Sequence, residues 1–78
     1  MRGTSMKINE LVAGSKGKVN SVEGSQEFQR RITAVGITPG CSFSIVQNEK
    51  KYPLLIDVRN TLLAVDRNDC NNIEVETI

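Results

Sequence analysis

Seventy-eight residues are expected to make one small domain, which by surface-to-volume scaling buries only about 60 to 65% of its unfolded surface and leaves no room for a second domain within them. Ten Lys and Arg against nine Asp and Glu give a formal charge of +1, too little for a field that gathers nucleic acid or an anionic membrane. With no histidine, neither a Ser-His or Cys-His nucleophile pair nor a ready proton shuttle near neutral pH can be assembled.

Met1-Arg2-Gly3-Thr4-Ser5, ahead of a second start at Met6-Lys7, reads as a vector-derived leader, leaving residues 6–78 as the domain. Without Arg2 the remaining nine basic residues balance the nine acidic ones, and only Arg30-Arg31 and Lys50-Lys51 are adjacent, short of a phosphate-tracking stripe. No signal peptide precedes Ile8, because Glu10 interrupts any apolar run, and the default location is cytoplasmic. Leu54-Leu55-Ile56 and Leu62-Leu63-Ala64-Val65, the longest aliphatic runs, are far below the roughly 20 apolar residues of a membrane-spanning helix.

Ile8, Leu11 and Val12 keep helical spacing for barely one turn and predict a short packed element ending at Gly14. Gly17 to Val22 is the first strand, with Val19 on one face and a register shift to Val22 that predicts a bend or bulge. From Ser25 the period becomes 3.6. Phe28, Ile32 and Val35 form one stripe of a helix over Gln26 to Val35, with Ser25 or Gly24 as N-cap and a Glu27 to Arg31 pair on its surface. Gly36 takes the left-handed conformation that ends it, Ile37 folds back on Ile32, and Pro39-Gly40 suit the centre of a type II turn.

Cys41, Phe43 and Ile45 alternate with serines as a half-buried strand, and Asn48 to Pro53 is a hairpin loop. Leu54 to Arg59 points Leu54, Ile56 and Val58 inward and Leu55 outward, Asn60 allows a tight turn, and Thr61 to Asp66 pairs back with Leu63 and Val65 inward. Arg67 to Asn72 holds turn formers and one possible helical turn, and Ile73 to Glu76 alternates as a closing strand. The expected fold is therefore mainly β, a small five-stranded antiparallel barrel with one short inserted α-helix, closed so that most strand edges disappear.

No catalytic site or cofactor site is expected from these residues. The carboxylates fall singly, Gly14-Ser15-Lys16-Gly17-Lys18 lacks the spacing of a phosphate loop, and Cys41 and Cys70 supply at most half of a metal site, so they read as buried thiols. An RNA-binding barrel needs exposed aromatics, yet Phe28 and Phe43 are assigned to the core, leaving Tyr52. What remains is a surface for another protein, with Arg30 and Arg31 on the helix flank, Ile37 and Pro39 at the corner, Tyr52 at a loop tip and the outward Leu55 as its candidate contacts.

Taken in order, Leu11 and Gly14, Gly17-x-Val19-x-x-Val22-x-Gly24, Arg30-Arg31-Ile32-x-x-x-Gly36-Ile37-x-Pro39-Gly40, Ile56-x-Val58-Arg59, Leu63-Ala64-Val65 and Ile73-x-Val75 resemble the FeoA family, ferrous iron transport protein A. The resemblance covers Met6 to Ile78 and departs at Ile32, where the family usually has leucine, and at Asp66, a commonly basic position. It implies an SH3-like barrel, shared with the C-terminal domain of some metal-dependent repressors. The implied role is that of a cytosolic accessory of bacterial ferrous iron uptake, acting on the membrane transporter FeoB. A stand-alone regulatory domain related to those repressors is the alternative, and an RNA-binding barrel a more distant one.

Overall fold

In the computed structural model, which describes residues 5–78, the alternating segments form six antiparallel strands. They are β1 (Met6–Lys7), β2 (Lys16–Val22), β3 (Ser42–Gln47), β4 (Leu54–Val58), β5 (Thr61–Val65) and β6 (Ile73–Thr77). Helix α1 (Gln26–Ala34) follows β2, the four-residue helix α2 (Arg67–Cys70) precedes β6, and a 3-10 turn (Ile8–Glu10) follows β1. Strand order is β1-β6-β2-β3-β4-β5. The expected barrel thus gains one strand. β1 is only two residues long, too short to carry an alternation, and exists because Met6 pairs with Val75 and Lys7 with Glu74. Expected closure also needs correcting: pairing runs from β1 to β5 without joining the two among the described residues, so both keep a free edge. Most of the presumed leader lies outside the described residues, but Ser5 Oγ donates to Glu74 Oε1 at 2.7 Å.

Inward residues of the strands meet in a single core, in which Ile8, Leu54, Ile56, Ile73, Val75 and Cys70 are fully buried. Val12 projects into solvent, because the 3-10 turn ends before it and only Ile8 and Leu11 reach the core. Both cysteines are free and buried, and burial pushes the Cys70 thiol up to about 11, so it stays protonated and inert at neutral pH. The shift in β2 falls between Val19 and Ser21 and lets one strand pair with β3 through Lys16–Lys18 and with β6 along its length.

Local chemistry sets the ends of α1. Ser25 Oγ accepts from the Phe28 N–H at 3.1 Å, and Gly36, at φ 107°, turns the chain after the C-cap Val35. Ile37 N–H donates to Ile32 O at 3.1 Å and Gly36 N–H to Thr33 O at 3.0 Å, the paired bonds of a Schellman motif. Cys41 N–H then donates to Thr38 O at 3.0 Å with Gly40 at φ 93°, closing the type II turn around Pro39. Between β4 and β5 the two-residue loop Arg59-Asn60 has positive φ at both positions (54° and 66°), a type I′ turn.

An ion pair fastens β1 to β6. Lys7 Nζ bonds Glu74 Oε2, and Glu74 also accepts from Ser5; these hydrogen bonds hold the Glu74 carboxyl below the usual carboxylate range and raise Lys7. A carboxyl with a depressed folded pKa contributes stability that is fully present above its unfolded value and lost as pH falls through the folded one. Lys7 does the reverse, contributing below its unfolded pKa and losing its share as pH rises past the folded one. Acid titration is therefore expected to loosen β1 from β6 below the ordinary Glu range, with faster exchange of the Met6 and Lys7 amides. Glu74→Gln should abolish that step, and an unchanged profile in Glu74→Gln would remove Glu74 as its cause.

Candidate interaction site

The C-terminal half of α1 lies beside β5 and α2, and between them is a groove of about 210 Å³. Ile32, Val35, Ile37, Leu63 and Val65 form its apolar walls, with Ala64 beside them, while Arg31, Asp66 and Asp69 stand at its rim. Val35 was placed on the core stripe of the helix, but it is 47% exposed because the helix has ended there and its side chain lines the groove instead. A second depression, about 280 Å³ and lined by residues including Lys16, Ser42, Asp57, Arg59 and Asn60, is broader, shallower and more polar. It offers less enclosure to an apolar side chain.

Sequence reasoning paired Arg31 with Glu27, one helical turn away. The structure turns Arg31 across the groove rim instead, its Nη2 3.6 Å from Asp69 Oδ2 and its guanidinium 5.8 Å from the centroid of the Phe28 ring. Asp69 is presented by α2, whose N-cap Asp66 accepts weakly from the Asn68 N–H at 3.4 Å. Arg67 points the other way, its Nε donating to Tyr52 O at 2.9 Å and a second nitrogen to Glu49 O. The short helix thus ties the β3–β4 loop to the rim of the groove.

Of the six candidate contacts, the structure brings Arg31 and Ile37 together in the groove lining and leaves the others outside it. Arg31 lines the groove; Arg30 and Pro39 are exposed but lie outside its lining. Tyr52 is 55% exposed, in the loop that Arg67 holds. Leu55 is half-buried and pairs with Ala64 of β5, so it is less available than an outward strand position suggests. Ile37 forms part of the groove wall, yet at 1% exposure it belongs to the core rather than to an exposed corner, drawn inward by the same Schellman bonds that turn the chain. Sequence reasoning missed Asp66, Asp69, Val35 and Leu63 as groove residues. The spacing of the two aspartates around a helical turn was a signal, but nothing local to either points to Arg31.

Among the described residues no group of three or more Cys, Asp or Glu side chains converges as for a metal ion, and no helix is long and apolar enough to cross a membrane. A family model described as the FeoA domain matches residues 6–77. The chain belongs to the FeoA family. This membership supports a role in ferrous iron transport, within a family of accessory transport proteins. A crystal structure described as an iron uptake regulatory protein (FeoA) superposes with a TM-score of 0.90 at 20% identity, covering 96% of this chain and 100% of that one. The FeoA protein of Chlorobium tepidum superposes at 0.85 with 27% identity, over 94% of this chain and 70% of that one. A manganese-dependent transcriptional repressor superposes at 0.89 with 10% identity, over 100% of this chain and 44% of the repressor, a likeness of fold alone. These matches bear out the SH3-like architecture. No match was found among the curated proteins.

Proposed function

We propose that this FeoA-family protein is an accessory of ferrous iron uptake on the cytoplasmic side of the membrane, acting by contact with a FeoB-type transporter. The match of the family model over residues 6–77 carries this reading. Composition supports the manner of action: a chain without histidine, and with neither a clustered ligand set nor a spanning helix among its described residues, is suited to act on iron movement through another protein. Arg30 and Arg31 on α1, Pro39 at the corner and the groove beside β5 offer the contact surface, with Tyr52 and Leu55 as further candidate contacts outside the groove lining.

Charge reversal tests it. Arg30→Glu with Arg31→Glu is expected to lower ferrous iron uptake to the level of a strain lacking the protein. Both side chains are exposed and the Arg31 pair is worth no more than about 1 kcal/mol, so circular dichroism should show the fold retained. Full uptake by the folded variant would exclude this face. Likeness to the repressor favours a second reading, a stand-alone regulatory domain. Pull-down from iron-starved cells separates the two, since the first retrieves a membrane transporter and the second a DNA-binding protein.

A further inference from the structure

We propose that β5 accepts an added strand, an extended segment of another chain that places an apolar side chain in the groove and a Lys or Arg beside Asp66 and Asp69. This rests on the reading that the protein works by touching a partner. Across a two-residue I′ hairpin the residues flanking the loop exchange both main-chain bonds. Thr61, Leu63 and Val65 therefore direct their N–H and C=O to β4, and those of Leu62 and Ala64 point away from it. Among the described residues nothing else takes them: β5 pairs with β4 alone, and no loop or side chain bonds Leu62 or Ala64.

Natural edges are usually defended by charge, proline, brevity or a bulge. Thr61-Leu62-Leu63-Ala64-Val65 has none of these, and its Leu62 is 61% exposed. The opposite edge, β1, is two residues long and carries Lys7 bonded to Glu74. The undefended edge is also the one with a groove beside it, since Leu63, Ala64 and Val65 line both. A strand paired with Leu62 and Ala64 would lie against α1, where Val35 and Leu63 offer apolar surface to a side chain. Strand addition draws affinity from such main-chain bonds and selectivity from such pockets.

The rim decides the charge of the occupant. Asp66 and Asp69 face one guanidinium, that of Arg31, because Arg67 is engaged with the Tyr52 and Glu49 carbonyls. Of the charged side chains that line the groove among the described residues, two are aspartates and one is arginine, so its lining carries one negative charge in excess, which favours a cation on the incoming strand. The same excess disfavours a second copy of this chain, whose β5 would bring a like-charged rim to the seam. Two five-residue strands would also bury well under the roughly 1,200 Å² of a stable interface.

The test adds a capped peptide of alternating valine and lysine to the isotopically labelled protein and follows amide exchange by NMR. Exchange at Leu62 and Ala64 is expected to slow at least about tenfold at saturation, with shifts at Val35 and Leu63. A valine-glutamate peptide should bind about fivefold more weakly or worse, as one exposed charge contact predicts. Leu62→Lys should abolish the protection, and so should Ala64→Pro, which removes an outward N–H that no ladder bond uses. No binding at millimolar peptide, or binding that leaves Leu62 and Ala64 exchanging freely, overturns the proposal. Protection that rises with protein concentration in the absence of peptide also overturns it, by giving the edge to a second copy. If the peptide fails while uptake still requires Arg30 and Arg31, strand addition falls and the proposed function stands. If uptake never depends on the protein, the proposed function falls, and the peptide result alone decides the edge.

Discussion

Gly17→Ala is expected to lower the unfolding free energy by about 3 kcal/mol, at the upper end of the cost of overpacking a core. Gly17 lies where β2 pairs with both neighbours, opposite Phe43 of β3 and Thr77 of β6. A methyl group there would stand 2.6 Å from Phe43 Cζ and 2.9 Å from the Glu76 carbonyl oxygen. The ring is buried and the carbonyl is main chain, so neither gives way cheaply. For a chain of this length total stability is roughly 4–12 kcal/mol, and the loss is a large fraction of it. It should appear as a lower urea midpoint with an unchanged slope. Phe43→Leu, which removes the clashing atom, should cost less in the Gly17→Ala background than alone, and purely additive losses would refute the clash. Gly14→Ala is the control. Its φ is 91° and nothing lies within 4 Å of the added carbon, so only backbone strain of about 1 kcal/mol is expected.

Ile37→Ala is expected to cost about 3 kcal/mol, within the range for truncating a buried isoleucine. The side chain is 1% exposed, and it is the apolar half of the helix-ending motif whose main-chain half is the bond to Ile32 O. That bond survives the substitution, so the corner keeps its shape while the core beneath it is hollowed. Pro39→Ala, two residues on and exposed, should cost no more than about 1 kcal/mol, chiefly through the unfolded chain. The pair distinguishes a contact residue from a supporting one. Uptake in the Ile37→Ala variant should fall only in proportion to the folded protein present, measured by thermal melts of the purified variant. A full-strength fold with uptake lost would restore Ile37 to the docking surface.

What was legible beforehand was local. The Ser25 cap, the Gly36 stop, the Pro39-Gly40 turn and the bulge in β2 each depend on residues within a few positions of one another, where backbone sterics and short hydrogen bonds dominate. Alternation in β3, β4 and β6 was legible for the same reason, because period two reports a face whatever that face packs against. The free edge of β5 was not. Its strand was foreseen, but whether a strand is central or marginal depends on which distant strands pair, and sheet closure was the mistaken expectation.

The sequence by itself determined a small β-rich domain, because capping, turn and alternation signals all lie along a short stretch of chain, and its ordered motifs carried the resemblance to the FeoA family. Tertiary structure alone decided that Lys7 would meet Glu74 and make a sixth strand, that Arg31 would leave Glu27 for Asp69, and that of the two groove residues Val35 would stay exposed and Ile37 be buried. Each of those outcomes is a choice between a near partner and a far one. The balance is set by how the completed sheet and its helices exclude water from one side of the chain and leave the other wet, which no local pattern records.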